Sequence, residues 1–291
     1  MRLARRLSIA CVLAVAVACS KQPTKPGSID DTTKVWLGAG DMGRCGSTGP
    51  EATAALLDRL PGSVFAAGDN AYPNGRFEDY LNCYAPSWGR HFSRTFPIPG
   101  NHEYDIPGAP GYFEYFGERA GFTDGYYAYS LGAWRVLALN SEVAVSSGSP
   151  QAAWLRAELS ALPAGGCAVA YWHRPFMSSG PNGDNVDMRD LFTILYSGGV
   201  EIVVAGHDPL YERFQPVDAN GQSDPARGIR QFVVGTGGTP LSSPTRVRPG
   251  SESQGVAWGV IRFELSPGGY RWEFVPVDGA TFRDSGFGTC H

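Results

Sequence analysis

The chain has 291 residues, of which 43% are hydrophobic and 18% charged, with 38 glycines, 22 prolines and a formal charge of −4. This length can bury one sizeable core, and a glycine-plus-proline share of about a fifth lies below the low-complexity range, so disorder is excluded as the main state. The acidic balance leaves no global basic surface for nucleic acid.

Arg2, Arg5 and Arg6 precede an apolar run from Leu7 to Ala18. The run is too short to span a bilayer and suits the core of an export signal. It ends Ala16-Val17-Ala18-Cys19, small residues before a cysteine, which resembles a bacterial lipobox. Residues 1–19 are therefore expected to be a lipoprotein-type signal peptide with Cys19 as the lipid acceptor, an ordinary cleaved signal being the alternative. Residues 20–33 then read as a flexible tether and residues 34–291 as one domain, with the membrane reached only through the lipid. Loss of residues 1–18 removes three arginines and takes the formal charge from −4 to −7. The expected location is periplasmic or cell-surface, alternatively secreted. Of six cysteines, Cys11 lies in the leader, which leaves Cys45, Cys83, Cys167 and Cys290 besides Cys19. An oxidising compartment favours disulfides over metal thiolates, and four cysteines allow three connectivities. Cys45–Cys83 with Cys167–Cys290 is the expected pairing.

In chain order, residues 34–40 read as a strand, and Pro50 opens a helix with Leu56, Leu57 and Leu60 on one face, stopped by Pro61-Gly62. Residues 63–68 form a second apolar strand and residues 96–100 a weak, proline-interrupted one. Residues 126–141 read as a hairpin about Gly132-Ala133. Ser149-Pro150 caps and starts a helix with Trp154, Leu155, Leu159 and Leu162 inward. Residues 167–172 and 201–205 are further buried strands, with a helix over residues 188–196 between them. Beyond Phe214 three runs, residues 230–236, 255–265 and 270–277, read as strands alone. Alternating elements followed by strands predict an α/β protein of two mixed sheets flanked by helices.

Five apolar runs end in a small or aromatic residue followed by a metal-capable side chain: Gly40-Asp41, Gly68-Asp69, Gly100-Asn101, Trp172-His173 and Gly206-His207. In α/β sheets, loops outside the carboxyl ends of strands converge on one crevice. Two carboxylates, an amide oxygen and two imidazoles suit zinc, manganese or iron better than calcium or copper(I). A bridging carboxylate would hold two ions at the spacing that clamps an attacking and a leaving oxygen. The set predicts a dinuclear hydrolase.

The motifs Gly40-Asp41-Met42-Gly43, GDNAY at 68–72, GNHEY at 100–104, YWH at 171–173 and GHDPLYERF at 206–214 resemble the calcineurin-like metallophosphoesterase superfamily. Within it they are most similar to purple acid phosphatases and their bacterial relatives, because Tyr72 follows Asp69 by three residues and no histidine follows Asp41 by two. The resemblance implies a four-layer α/β/β/α sandwich and an exported metal-dependent phosphatase, with a phosphoester as substrate and two divalent or mixed-valence ions of iron, zinc, manganese or magnesium as cofactors. It implies that Asp69 bridges the ions, that Asp41 and Tyr72 hold the first, and that Asn101, His173 and His207 hold the second. It gives His102 contact with the substrate and protonation of the leaving oxygen, work suited to an imidazole. A metal-bound hydroxide would attack phosphorus.

One position departs from the pattern. Where the family carries Gly-His-x-His, this chain reads Gly206-His207-Asp208-Pro209, and proline has no side-chain donor. Three outcomes are open: the first ion binds weakly through Asp41, Asp69, Tyr72 and water, Asp208 or another group substitutes, or only the second site fills. A weakened first site with retained fold is the expectation. A phosphodiesterase and a catalytically impaired metal-binding lipoprotein are the alternatives to a phosphomonoesterase. Glu103, Tyr211, Glu212 and Arg213 are expected to orient ligands or to serve structure. Arg44, Arg90 and Arg174 are candidates to hold a phosphate, solvated charge being the default. His91 reads as a surface or helix residue, His291 as a terminal one, and the tryptophans as core.

Overall fold

The computed structural model describes residues 32–122 and 124–291. The expected signal segment, Cys19 and residues 20–31 of the tether lie outside them. Among the described residues no helix is long and apolar enough to cross a membrane.

Thirteen strands form among the described residues: β1 Lys34–Ala39, β2 Ser63–Ala67, β3 Thr95–Ile98, β4 Tyr127–Leu131, β5 Trp134–Ala138, β6 Ala168–Trp172, β7 Ile202–Ala205, β8 Tyr211–Phe214, β9 Arg230–Val234, β10 Ser251–Gly255, β11 Gly259–Ser266, β12 Gly269–Pro276 and β13 Ser285–Thr289. They make a six-stranded sheet in the order β13-β12-β11-β1-β2-β3 and a seven-stranded sheet in the order β10-β8-β9-β7-β6-β5-β4. In the first, β1, β2 and β3 run parallel and β11 to β13 add antiparallel. In the second, β5, β6, β7 and β9 run parallel, with antiparallel strands at both edges.

Burial on both faces explains the near-continuous apolar runs of the central strands. Along β6 and β7, Val169, Tyr171, Ile202 and Val204 join Trp36, Phe65 and Phe263 of the other sheet in one core. The alternate residues Ala168, Ala170, Trp172 and Val203 join Leu155, Leu191 and Leu195 in another. The last three belong to helices Pro150–Ser160 and Arg189–Ser197, so the period-2 alternation splits one sheet between two cores. Helix Gly49–Arg59 covers the six-stranded sheet with Ala54, Leu56 and Leu57. The layers are helix, sheet, sheet, helix. The Ser149 hydroxyl accepts from Ala152 N at 3.1 Å as the predicted cap, and the disulfides pair Cys45 with Cys83 and Cys167 with Cys290.

Three differences from the sequence reading have physical causes. The run 255–265 is divided, because Gly255 ends β10 in one sheet and Gly259 starts β11 in the other. β13 (SGFGT) shows no apolar period; Gly286 and Gly288 lie beneath the rings of Trp272 and Tyr270 across the strand pair, where a Cβ would collide. On either side of β3, residues 77–94 and 101–120 form short helical turns held by packed rings such as Tyr80, Tyr84, Tyr115 and Phe116 rather than by a helical repeat.

Candidate metal centre

All five sequence-predicted endings lie just past the carboxyl ends of parallel strands: Asp41 after β1, Asp69 after β2, Asn101 after β3, His173 after β6 and His207 after β7. Gly40 N donates to Val234 O at 2.8 Å and joins the ends of the two sheets. Asp41, Asp69 and His207 have φ of 63°, 50° and 71°, left-handed backbone that a side chain disfavours by about 1–2 kcal/mol each. Strain gathered at three candidate ligands points to function. The glycines before them permit close approach. A Cβ on Gly68 would stand 2.6 Å from His173 Nδ1, and one on Gly206 would stand 2.8 Å from Asp41 Oδ2.

His173 is oriented by a backbone carbonyl. Its Nδ1 lies 2.9 Å from the Ala67 carbonyl, an acceptor only, so Nδ1 carries a proton and donates. Its Nε2 then faces Asn101 Oδ1 at 3.1 Å, Asp69 Oδ2 at 3.2 Å and His207 Nδ1 at 3.2 Å. Four electron-pair donors point at one another in a buried place. Burial opposes a second proton on His173, but the Asp69 charge raises this imidazole to about 10. His207 is depressed to about 3 by burial and by the charge on His173. A metal ion would replace that proton and use all four lone pairs. Asp69, His173 and His207 each present a ligand atom within 4.8 Å of the others, and with Asn101 they fit an ion of the zinc, manganese or iron kind.

On the other flank, Tyr72 Oη is 3.0 Å from Asp41 Oδ1 and 3.1 Å from Asp69 Oδ2. Asp41 Oδ2 accepts from His207 N at 2.7 Å. Burial, with Asp69 nearby, pushes Asp41 up to about 7 despite the opposing charge of His173. Asp69 is held below the usual carboxylate range by His173 and His102, against its burial. Three oxygen donors thus meet here. Pro209 lines the cleft, and Asp208 does not replace the missing histidine. Its buried carboxylate turns away and accepts from Ser178 Oγ and Asn182 N.

The cleft has a volume of about 300 Å³ and is also lined by Arg44, His102, Asn182, Thr239 and Ser242. His102 is half-exposed. Its backbone N donates to Asp69 Oδ1 at 2.9 Å, its Nδ1 is 2.6 Å from Pro73 O, and its ring packs on Tyr72 with centroids 4.4 Å apart. The ring thus sits at the cleft wall with Nε2 3.9 Å from Asp69 Oδ2.

Of the four residues expected to orient ligands or serve structure, Glu103 does the orienting. Its buried carboxylate accepts from Asn70 N, Ala71 N and Gly100 N at 2.8, 3.1 and 2.7 Å and from Tyr80 Oη at 3.2 Å. It clamps the turn after Asp69 to the turn before Asn101. Tyr211 and Arg213 instead bind Asp284, and Glu212 anchors Ser179 and Ser251. Arg90 is bound to Glu51 and Asp58 and Arg174 to Glu142. His91 is buried in a helical turn beside Asp58. His291 pairs with Glu201, just before β7, at the end of that strand opposite His207. Trp36, Trp88, Trp134 and Trp172 are core. Asn182, Thr239 and Ser242 lie outside every motif, and no sequence signal marked them.

The fold and the donor set define a calcineurin-like phosphoesterase. The family model of that description matches residues 37–211, and the chain belongs to this family. Its relatives include purple acid phosphatase 15 of Arabidopsis thaliana, 26% identical over 86% of this chain and 55% of the relative, and purple acid phosphatase 18 of the same plant, 28% identical over 69% and 48%. The chain spans about half the length of these curated relatives. A purple acid phosphatase from yellow lupin (Lupinus luteus) seeds shares the fold with a TM-score of 0.70 at 19% identity, covering 90% of this chain and 55% of that one. GAP50, the anchor in the inner membrane complex of Plasmodium, does so with 0.69 at 14% identity, covering 89% of each.

Proposed function

We propose that this chain is an exported, metal-dependent phosphoric ester hydrolase that acts on phosphomonoesters. The observation that carries the reading is the convergence of Asp69, Asn101, His173 and His207 on one buried point, with His173 Nδ1 already committed to the Ala67 carbonyl. Asp69, Asn101, His173 and His207 are assigned to the more firmly held ion, and Asp69, Asp41 and Tyr72 to the weaker one. Bound ions supply positive charge against the phosphoryl oxygens and acidify water for attack. The protein's own part is to pre-position these donors on strained turns and to keep the carboxylates dry. His102 is assigned proton delivery to the leaving oxygen, since it is the half-exposed imidazole on the cleft wall. Export is favoured by the two disulfides, and residues 34–291 are assigned to the catalytic domain behind a lipoprotein-type signal.

Elemental analysis of the purified protein beside its rate on an aryl phosphate tests the reading. The expected result is a firmly held first equivalent of metal, a weaker second and measurable hydrolysis. Metal-loaded protein that hydrolyses no phosphoester between pH 5 and 10 overturns it. That outcome would leave the second reading, an impaired metal-binding lipoprotein, which Pro209 favours. GAP50, the anchor in the inner membrane complex of Plasmodium, also has this fold.

A further inference from the structure

We propose that Arg44 binds the phosphoryl group of the substrate and biases the cleft towards phosphomonoesters. The inference rests on the hydrolase reading and adds to it the residue that selects the ester class.

Three arginines near the motifs could meet a phosphate, and their surroundings separate them. Arg90 is committed to Glu51 and Asp58 at 2.6 and 2.9 Å. Arg174 Nε lies 3.0 Å from both oxygens of Glu142. Arg44 has no carboxylate partner among the described residues, and it is the one arginine or lysine among them that lines the cleft. Its guanidinium carbon lies 5.8 Å from the centroid of the Tyr72 ring, the ring against which His102 also packs. An unpaired cation and an assigned proton donor thus share one aromatic support, beside two carboxylates that would by themselves repel a phosphate.

The backbone that carries Arg44 is pinned on both sides. Gly43 N donates to Asn70 O at 2.9 Å, and Tyr72 N donates to Gly43 O at 2.8 Å. Cys45, the next residue, is bonded to Cys83. The side chain is exposed, but its pivot is fixed relative to Asp41 and Tyr72, so less freedom is lost when it closes on an anion. A planar guanidinium holds two oxygens at once. A terminal phosphoryl group offers three unbridged oxygens and about two charges, so one oxygen still faces the metal flank. A diester offers two oxygens and one charge, and the fork then competes with the metal flank for them. On the flank where Pro209 removes a donor, a fixed cation also offsets charge that a weakly held ion leaves uncovered.

The test compares wild type, R44Q, R44K and, as a control, R90Q, with folding checked by melting temperature. On an aryl phosphate, R44Q is expected to lower kcat/KM by about tenfold or more, mainly through KM. Inhibition by inorganic phosphate weakens by a similar factor. On a bis-aryl phosphate the change stays within about threefold, R44K recovers part of the monoester loss, and R90Q changes neither ester. Equal losses on both esters, or unchanged phosphate inhibition in R44Q, overturn the assignment. Calorimetric binding of inorganic phosphate reads Arg44 independently of turnover. If wild type hydrolyses neither ester but binds phosphate and R44Q does not, Arg44 stands while the hydrolase reading falls. If wild type and R44Q bind phosphate alike, or neither binds it, the Arg44 assignment falls.

Discussion

On one flank of the cleft, His173, His207, Asn101 and Asp69 converge on one another at 3.1–3.2 Å from His173 Nε2. On the other, Asp41 and Tyr72 satisfy each other, because the phenol donates between two carboxylates and His207 N occupies the remaining oxygen of Asp41. The first flank is under electrostatic tension that a cation relieves. The second can close on itself without one. Pro209 stands where the family pattern has an imidazole, and the neighbouring Asp208 does not replace that donor because its carboxylate is bound to Ser178 and Asn182. If both flanks hold metal as proposed, they are expected to bind with different strength.

The largest effect that would sharpen this contrast is expected from His173→Ala. It should remove the firmly held metal and lower aryl phosphate hydrolysis by about 10³-fold or more, several kcal/mol of transition-state stabilisation. Tyr72→Phe should cost at most about tenfold, the worth of one hydrogen bond; a loss as large as that of His173→Ala would erase the distinction. Next, Pro209→His should raise metal per chain towards two and turnover on the order of tenfold. An unchanged value of either breaks the idea that this position weakens the flank.

Replacing both Cys45 and Cys83 by serine should cost about 2–4 kcal/mol in urea unfolding. It should also raise KM for an aryl phosphate more than it lowers kcat, since it frees the turn that carries Asp41 and Arg44. The smallest effect serves as a remote control. Burial opposes ionisation of Asp284, but hydrogen bonds from Arg213, Tyr211 and Trp272 hold its carboxyl below the usual range. A carboxylate depressed on folding contributes stability that is present above its unfolded value of about 4 and lost as pH falls further. Asp284→Asn should therefore flatten the loss of stability below about pH 4 and leave metal content unchanged on both flanks; an altered metal content would show that the flanks are not locally determined.

Much of the centre was legible in the chain because each candidate ligand follows directly on an apolar strand. Gly-Asp, Gly-Asn and Gly-His endings are local patterns, and five of them in order specify both a parallel sheet and what stands at its rim. The groups that hold the ligand-bearing turns in place were less legible. Glu103 could be suspected from its place in the motif, but its three backbone donors come from residues 70, 71 and 100, which only folding assembles. Tyr211 and Arg213 lie in an equally suggestive motif and serve Asp284 instead. The edge strand β13 was hidden because its partners' rings replace the apolar side chains that a periodic pattern would reveal.

The sequence alone determined the family and most of the order of the elements, and it proposed the donors, because these depend on local periodicity and on residue types next to strand ends. It also exposed the missing histidine at position 209. Tertiary structure decided three things that depend on groups distant in the chain. It turned Asp208 away from the cleft, it divided residues 255–265 between two sheets, and it left Arg44 unpaired while Arg90 and Arg174 found carboxylates. An arginine reads the same in any sequence, and whether its charge is free depends on which acids the fold brings within hydrogen-bond distance.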